Sequence, residues 1–292
     1  MKDFSGRIAV VTGAGSGIGR AIACQLAAEG CSLAICDTRE DDMIETARRV
    51  EAVATQGAKI TYFVADVADA ERMLAFRDET GRVHKTDHVH LLFNNAGIGG
   101  GGSFVNTPVD QWERTFRVCW NGVYNGTRAF LPFLLKADQA HLINVSSVNG
   151  FWASLGPDVP HTAYSAAKFA VKGFTEALIN DFRLNAPHVK VSLVMPGHIG
   201  TNISLHSIQE FSSTPTLSPE LQRAGEAFRD HGMPPEQAAQ IILDGVREER
   251  WRILVGSDAA ALDRAVRADP EAAYGFSFSD LVSSGRDVGP IQ

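Results

Sequence analysis

Residues 7–20, RIAVVTGAGSGIGR, run from a short β-branched segment straight into a glycine-dense turn and on into the start of a helix. Arg7–Thr12 has the character of a strand covered on both faces. Gly13, Gly15, Gly17 and Gly19 permit positive φ and close backbone approach, and the N–H groups that open a helix attract a pyrophosphate. The spacing departs from G-x-G-x-x-G, because Ile18 and Arg20 stand where its last glycine would fall. Read alone, the turn fits a plain tight turn as well as a phosphate site. Its position directly behind the first strand favours the phosphate.

Outward from that junction the chain keeps one rhythm. Ser32–Cys36, Ile60–Ala65, His90–Phe93, His141–Ser146 and Lys190–Val194 are further strand candidates, and Trp251–Val255 is a late one. Between them Gly17–Gly30, Asp41–Gln56, Asp69–Arg82, Pro108–Lys136 and Thr162–Asn185 carry apolar residues at helical spacing. This alternation predicts an α/β fold, a doubly wound parallel sheet of about seven strands with helices on both faces and the ligand site at the carboxyl ends of the strands. After Thr201 the rhythm weakens. Ser207–Pro219 is rich in Ser, Thr and Pro, and helical patterns resume at Glu220–Asp230 and Pro235–Glu249. With no clean linker or repeat, residues 1–292 read as a single domain, 203–250 as a substrate-covering lid within it, and 275–292 as a loose tail or one that crosses to another subunit.

With 292 residues, 45% hydrophobic and 21% charged, the chain can bury a sizeable core. A net charge of −7 and no Lys/Arg cluster argue against nucleic-acid binding. Cys24, Cys31, Cys36 and Cys119 lack metal or redox spacing and read as small buried apolar residues. The first residues carry no signal-like apolar run, and no window is long and apolar enough to span a bilayer, so a cytoplasmic protein without membrane insertion is expected.

Two further features carry chemistry. Asp37, at the end of the second strand, sits where a carboxylate receives the adenosine ribose hydroxyls in dinucleotide folds and would repel a 2′-phosphate. The alternative is an aspartate capping the next helix. Arg39, two residues on, could partly accommodate a 2′-phosphate, yet the balance favours NAD over NADP. Tyr164 and Lys168 are four residues apart in the expected helix Thr162–Asn185 and so share a face. An ammonium beside a phenol favours phenolate, which would lower the tyrosine pKa toward the range of a general acid/base.

In order along the chain, Thr12–Gly19, Asn94-Asn95-Ala96-Gly97, Ser147, Tyr164-x-x-x-Lys168 and Pro196-Gly197 resemble the motifs of the short-chain dehydrogenase/reductase family over about residues 5–202. The resemblance implies a Rossmann-type fold and an oxidoreductase that interconverts a secondary alcohol and a ketone by hydride transfer. It also implies roles. Tyr164 gives or takes the proton of the substrate oxygen, Ser147 hydrogen-bonds that oxygen, Lys168 tunes the tyrosine and holds the nicotinamide ribose, and Asn121 keeps a relay water. Ser16, Ile18, Asp66, Val67, Asn95, Ala96, Gly97, Pro196, Gly197, Ile199 and Thr201 match positions that line the cofactor, beside the glycines, Asp37, Arg39, Tyr164 and Lys168. A homodimer or homotetramer follows from the resemblance alone.

One departure lies between Ser147 and Tyr164, where Val148–Ala163 is longer than the family usually shows, with Pro157, Asp158, Val159, Pro160 and His161 in the bulge. An insertion there reshapes the substrate pocket without moving strand or helix. The pocket is expected to draw on Ser147, Asn149, Phe151, Trp152, His161 and His198, with Leu155 and Val159 beside them and Ile203, Leu205, Ile208 and Phe211 on the lid. Such walls favour a bulky hydrophobic alcohol or ketone. No metal is expected, because His161 and His198 lack a carboxylate or Cys at ligand spacing. Three rivals remain: an NADP-dependent ketoreductase, a non-catalytic dinucleotide-binding sensor, and an epimerase or dehydratase of sugar nucleotides. An intact Ser147, Tyr164, Lys168 and Asn121 set speaks against the sensor, and the lack of a large C-terminal substrate domain against the epimerase or dehydratase.

Overall fold

A computed structural model describes residues 1–156, 159–211 and 218–275. Seven strands, β1 (Ile8–Thr12), β2 (Ser32–Asp37), β3 (Ile60–Val64), β4 (Leu91–Asn94), β5 (Ala140–Val145), β6 (Val189–Pro196) and β7 (Arg252–Val255), form one sheet in the order β3-β2-β1-β4-β5-β6-β7. Every pairing is parallel. The order reverses between β1 and β4, and at such a switch point the connections leave in opposite directions and open a crevice beyond the strand ends.

Side-chain alternation explains why both faces are covered. Ala9 and Val11 of β1 point into one core and Val10 into the other. The first core packs the sheet against α1 (Gly17–Ala28), α2 (Glu40–Val53) and α9 (Pro235–Arg247), through Ile22, Leu26, Met43, Ile242 and Leu243. The second packs it against α3 (Ala70–His84), α5 (Gly122–Lys136) and α6 (Thr162–Asn185), through Met73, Phe76, Phe130 and Phe182. Among the described residues no helix is long and apolar enough to cross a membrane.

Three stretches differ from the sequence-based reading. Pro108–Lys136 is not one regular helix: α4 (Val109–Phe116) passes through a π-helical turn, Arg117–Asn121, into α5. The turn lies where α5 presses on the end of β3, since a Cβ at Gly122 would come 2.5 Å from Val67 Cγ2. A helix α7 (Ile203–Phe211) begins just past Thr201 and runs into the Ser/Thr/Pro-rich run, steadied by Leu205 packing against Gly225 of α8 (Pro219–His231). A further helix, α10 (Ser257–Ala268), follows β7. Pro157, Asp158, residues 212–217 and the tail 276–292 lie outside the described residues.

Candidate active site

The strand ends open onto a cleft of about 380 Å³ that runs from Asp37 to Tyr164. Its floor begins at the turn after β1. Thr12 Oγ1 accepts from the backbone N–H groups of Asn95 and Ala96 at 3.0 and 3.1 Å, while Asn95 Nδ2 donates to the carbonyls of Thr12 and Gly13 at 3.0 and 3.2 Å. The loops after β1 and β4 are thereby stitched together. Contact is so close that a Cβ at Gly19 would lie 2.2 Å from the Gly13 carbonyl oxygen, and one at Gly13 2.7 Å from Ala96 Cα. Ser16, Gly17 and Ile18, at the start of α1, face the cleft, as do Gly13, Val67, Ala96, Gly97, Pro196, Gly197, Ile199 and Thr201. Gly15 and Gly19 do not line it. Their lack of a side chain makes room instead for Asp37, whose Oδ2 accepts from Gly15 N at 3.0 Å, and for the Gly13 carbonyl.

Below the floor a buried amide ladder fixes the middle strands. Asn94 Nδ2 donates to Thr127 Oγ1 and Asn144 Oδ1, and Asn144 Nδ2 donates to Thr175 Oγ1, at 2.9–3.0 Å. The ladder ties β4 and β5 to α5 and α6. It therefore sets the helix that carries Tyr164 and Lys168 against the strand that ends at Ser147.

Ser147, Tyr164 and Lys168 all line the cleft. A hydrogen bond links the Ser147 and Tyr164 side chains, and Ser147 Oγ also accepts from Asn149 N at 3.1 Å. Lys168, only 2% exposed, donates from Nζ to the Val145 carbonyl at 3.0 Å, and its ammonium lies 5.4 Å from the centre of the Tyr164 ring. Ser146 is separately occupied, donating to the Lys168 carbonyl at 2.8 Å, which leaves Ser147 as the serine facing the phenol. Burial raises the Tyr164 phenol above its ordinary value, with Cys119 adding to the rise and the Ser147 bond opposing it. Burial likewise pulls the Lys168 ammonium down. The sequence-based reading has Lys168 lowering the phenol; in the structure the phenol is raised, with burial the largest cause, and the Lys168 ammonium bonds a backbone carbonyl.

The remaining expected residues divide. Asn149, His161 and His198 line the cleft. Phe151 and Trp152 do not. Trp152 is wholly buried and donates from Nε1 to the Ala273 carbonyl at 2.9 Å, and with Phe151 it packs against Ala259 and Leu262 of α10. These aromatics anchor the far end of the sheet, and no local sequence signal separates that role from a pocket wall. Of the other expected apolar walls, Leu155 and Ile203 line the cleft while Val159 is 49% exposed and lies outside it. Asn121 is likewise not on the cleft. The wider i→i+5 bonding of the π turn changes the phase of the side chains, and the residue of the turn that lines the cleft is Val118, with the buried Cys119 beside it. Cys119 Sγ donates to the Ile98 carbonyl at 3.1 Å, and a Cβ on Gly97 would lie 3.7 Å from it and 3.5 Å from Lys168 Nζ.

Several contributors carry no sequence signal because their partners are distant. Asp258, in the first turn of α10, accepts from His198 N at 2.6 Å and crowds Gly197, fixing the loop after β6. From α7, His206 meets Arg39, Ser207 Oγ accepts from Gly99 N at 2.7 Å, and Glu210 accepts from Arg114 at 2.9 Å. Arg114 also holds Asp66 at 2.6 Å. Arg39 itself is paired with Asp42 at 2.8 Å. Among the described residues no group of three or more His, Cys, Asp or Glu side chains is placed to hold a metal ion.

A parallel sheet in this order, with a glycine turn at its switch point and a Ser–Tyr–Lys group at the end of β5, defines the dinucleotide-binding dehydrogenase class of folds. The model of the short chain dehydrogenase family matches residues 7–210. The chain is 37% identical over 288 residues to the Mycobacterium tuberculosis protein named "Putative oxidoreductase SadH", covering 98% of this chain and 97% of that one. It is 30% identical over 255 residues to short-chain dehydrogenase/reductase family 16C member 6 of Bos taurus, covering 87% and 73% of the two chains. The crystal structure of a short chain dehydrogenase/reductase from Burkholderia phymatum, solved in complex with NAD, superposes with a TM-score of 0.79 at 28% identity over 100% of both chains. This chain belongs to the short-chain dehydrogenase/reductase family of oxidoreductases.

Proposed function

We propose that the chain is an NAD-dependent dehydrogenase/reductase that interconverts a hydrophobic secondary alcohol and the corresponding ketone. One observation carries this reading: Ser147, Tyr164 and Lys168 meet at one end of a single cleft whose other end carries Asp37. A dinucleotide fits that span. The start of α1 offers backbone to a pyrophosphate, Asp37 offers a carboxylate to ribose hydroxyls, and Lys168 lies at the opposite end. When bound, the nicotinamide supplies or accepts the hydride.

The protein's part is acid–base chemistry and orientation. Tyr164, hydrogen-bonded to Ser147 and kept protonated by burial, gives its proton to the carbonyl oxygen in the reductive direction and takes it back in oxidation. Ser147 orients that oxygen. Lys168, tied to Val145, places a positive charge beside the phenol and stabilises the phenolate left after proton donation. The choice of NAD rests on the Asp37 carboxylate at the rim and on Arg39, already engaged with Asp42 and His206. A fluorescence titration with NADH and NADPH, followed by a turnover screen of hydrophobic ketones and secondary alcohols, tests the reading. Tight NADH binding with turnover supports it, binding without turnover favours a sensor, and binding of neither dinucleotide overturns it. Asp37→Ala should narrow the preference for NADH over NADPH, and an unchanged ratio would mean the ribose is read elsewhere.

A further inference from the structure

At the reacting end of the cleft the polar side chains are nearly all occupied. Asn149 spends its amide on the carbonyls of Trp152 and Ser154, at 3.0 and 2.8 Å. His198 Nε2 meets the Phe228 carbonyl at 2.7 Å, and Ser207 Oγ lies between Gly99 N and the Ile203 carbonyl, at 2.7 and 2.6 Å. His161 is different. It stands immediately before α6, in the bulge that separates Ser147 from Tyr164, and its ring lies on that of Tyr164 with centroids 4.8 Å apart and planes tilted by 35°. It lines the cleft, and among the described residues no group hydrogen-bonds either ring nitrogen. Burial pushes the imidazole down to about 4, so at neutral pH the ring is uncharged and offers one N–H donor and one bare nitrogen acceptor. The half-buried ring borders the cleft, where a ligand can meet its donor and its acceptor.

We propose that His161 is a specificity-determining residue whose imidazole hydrogen-bonds a second oxygen of the substrate, on the carbon next to the one that reacts. The preferred substrates are then vicinal hydroxyketones and diols carrying an apolar group, rather than simple secondary alcohols and ketones. Adjacency follows from the packing. His161 and Tyr164 are one helical turn apart with rings in contact, so an oxygen at the Tyr164 hydroxyl and one at the imidazole are separated by few bonds. Leu155 and Ile203, on the same cleft, receive the apolar remainder. The proposal rests on the reading of Tyr164 and Ser147 given above.

The test compares acetophenone with 2-hydroxyacetophenone as substrates for reduction by the full chain with NADH. The expected result is a kcat/KM about tenfold or more higher for the hydroxyketone, the discrimination that one well-placed hydrogen bond supplies. In His161→Phe, which keeps an aromatic ring on Tyr164, the ratio should fall to near one. His161→Gln, which keeps a donor and an acceptor, should recover part of it. A wild-type ratio near one, or a ratio that survives in His161→Phe, overturns the proposal. Should the wild type bind NADH yet reduce neither ketone, the alcohol–ketone reading fails for this pair. Calorimetric binding of the two ketones to the NADH complex then decides the question about His161 alone: tighter binding of the hydroxyketone that is lost in His161→Phe upholds the contact, and equal binding overturns it.

Discussion

The floor of the cleft and the helix that covers it are held by different forces. On the floor, Thr12, Asn95, Asn94 and Asn144 join neighbouring strands through short, buried bonds to backbone and to one another, and Gly13 and Gly19 let the loops touch. Across the cleft, α7 reaches the rim through single side chains with partners far off in the chain: His206 to Arg39, the buried Ser207 to Gly99 and Glu210 to Arg114. When one partner of a buried bond goes, the other is left with its full desolvation cost, whereas a partly exposed ion pair such as Arg114–Glu210 is worth about 0.2–1 kcal/mol and is screened by salt.

Predictions that break or sharpen this contrast can be ranked. Removing the Tyr164 hydroxyl, as in Tyr164→Phe, should lower kcat by about 10²–10⁴-fold while NADH affinity, read by fluorescence titration, stays close to wild type; retained turnover would remove Tyr164 from the chemistry. Gly19→Ala attacks the floor, where the new Cβ meets a backbone carbonyl that cannot swing aside. Thermal unfolding should show a loss of about 1–3 kcal/mol together with weakened dinucleotide binding, and an unchanged melting curve would mean that the two loops yield.

A third prediction concerns protons. The Tyr164 phenol is raised by burial and is therefore protonated throughout the neutral range, so reduction has its acid ready while oxidation must wait for the base. Alcohol oxidation should climb toward alkaline pH without a neutral plateau, and ketone reduction should be flat there and fall only on the alkaline side. Identical profiles in the two directions would place the titration elsewhere. The smallest effect belongs to the contacts of α7. Arg114→Ala releases both Glu210 and Asp66 and should raise the apparent NADH dissociation constant a few-fold at low salt, about the worth of one or two exposed ion pairs. In high salt the difference should vanish, and a large, salt-independent loss would make Arg114 part of the floor.

The same division accounts for what was legible beforehand. Strands β1 to β7 each stand within a residue or two of their expected positions, because a strand covered on both faces leaves a continuous apolar run. The four-residue spacing of Tyr164 and Lys168, common in helices by itself, gains meaning only beside Thr12–Gly19, Asn94–Gly97 and Ser147; the limits of α6 coincide with the expected Thr162–Asn185. Helix α7 was not legible: it starts just before a Ser/Thr/Pro-rich run, and its contacts are with Arg39, Gly99 and Arg114, each remote in sequence. Trp152 and Phe151 misled for a related reason, since a large aromatic after a strand has the same local look whether it faces a pocket or, as here, α10.

The amino-acid sequence by itself determined the parallel sheet, the glycine turn at its centre and the family of oxidoreductases to which the chain belongs, because periodicity and short motifs are written in contiguous residues. Tertiary structure alone decided that the π turn presents Val118 to the cleft and not Asn121, that burial raises the Tyr164 phenol, and that the His161 ring lies on that of Tyr164 at the cleft. Those outcomes depend on helix phase, on desolvation and on contacts between segments far apart in the chain, none of which a local pattern encodes.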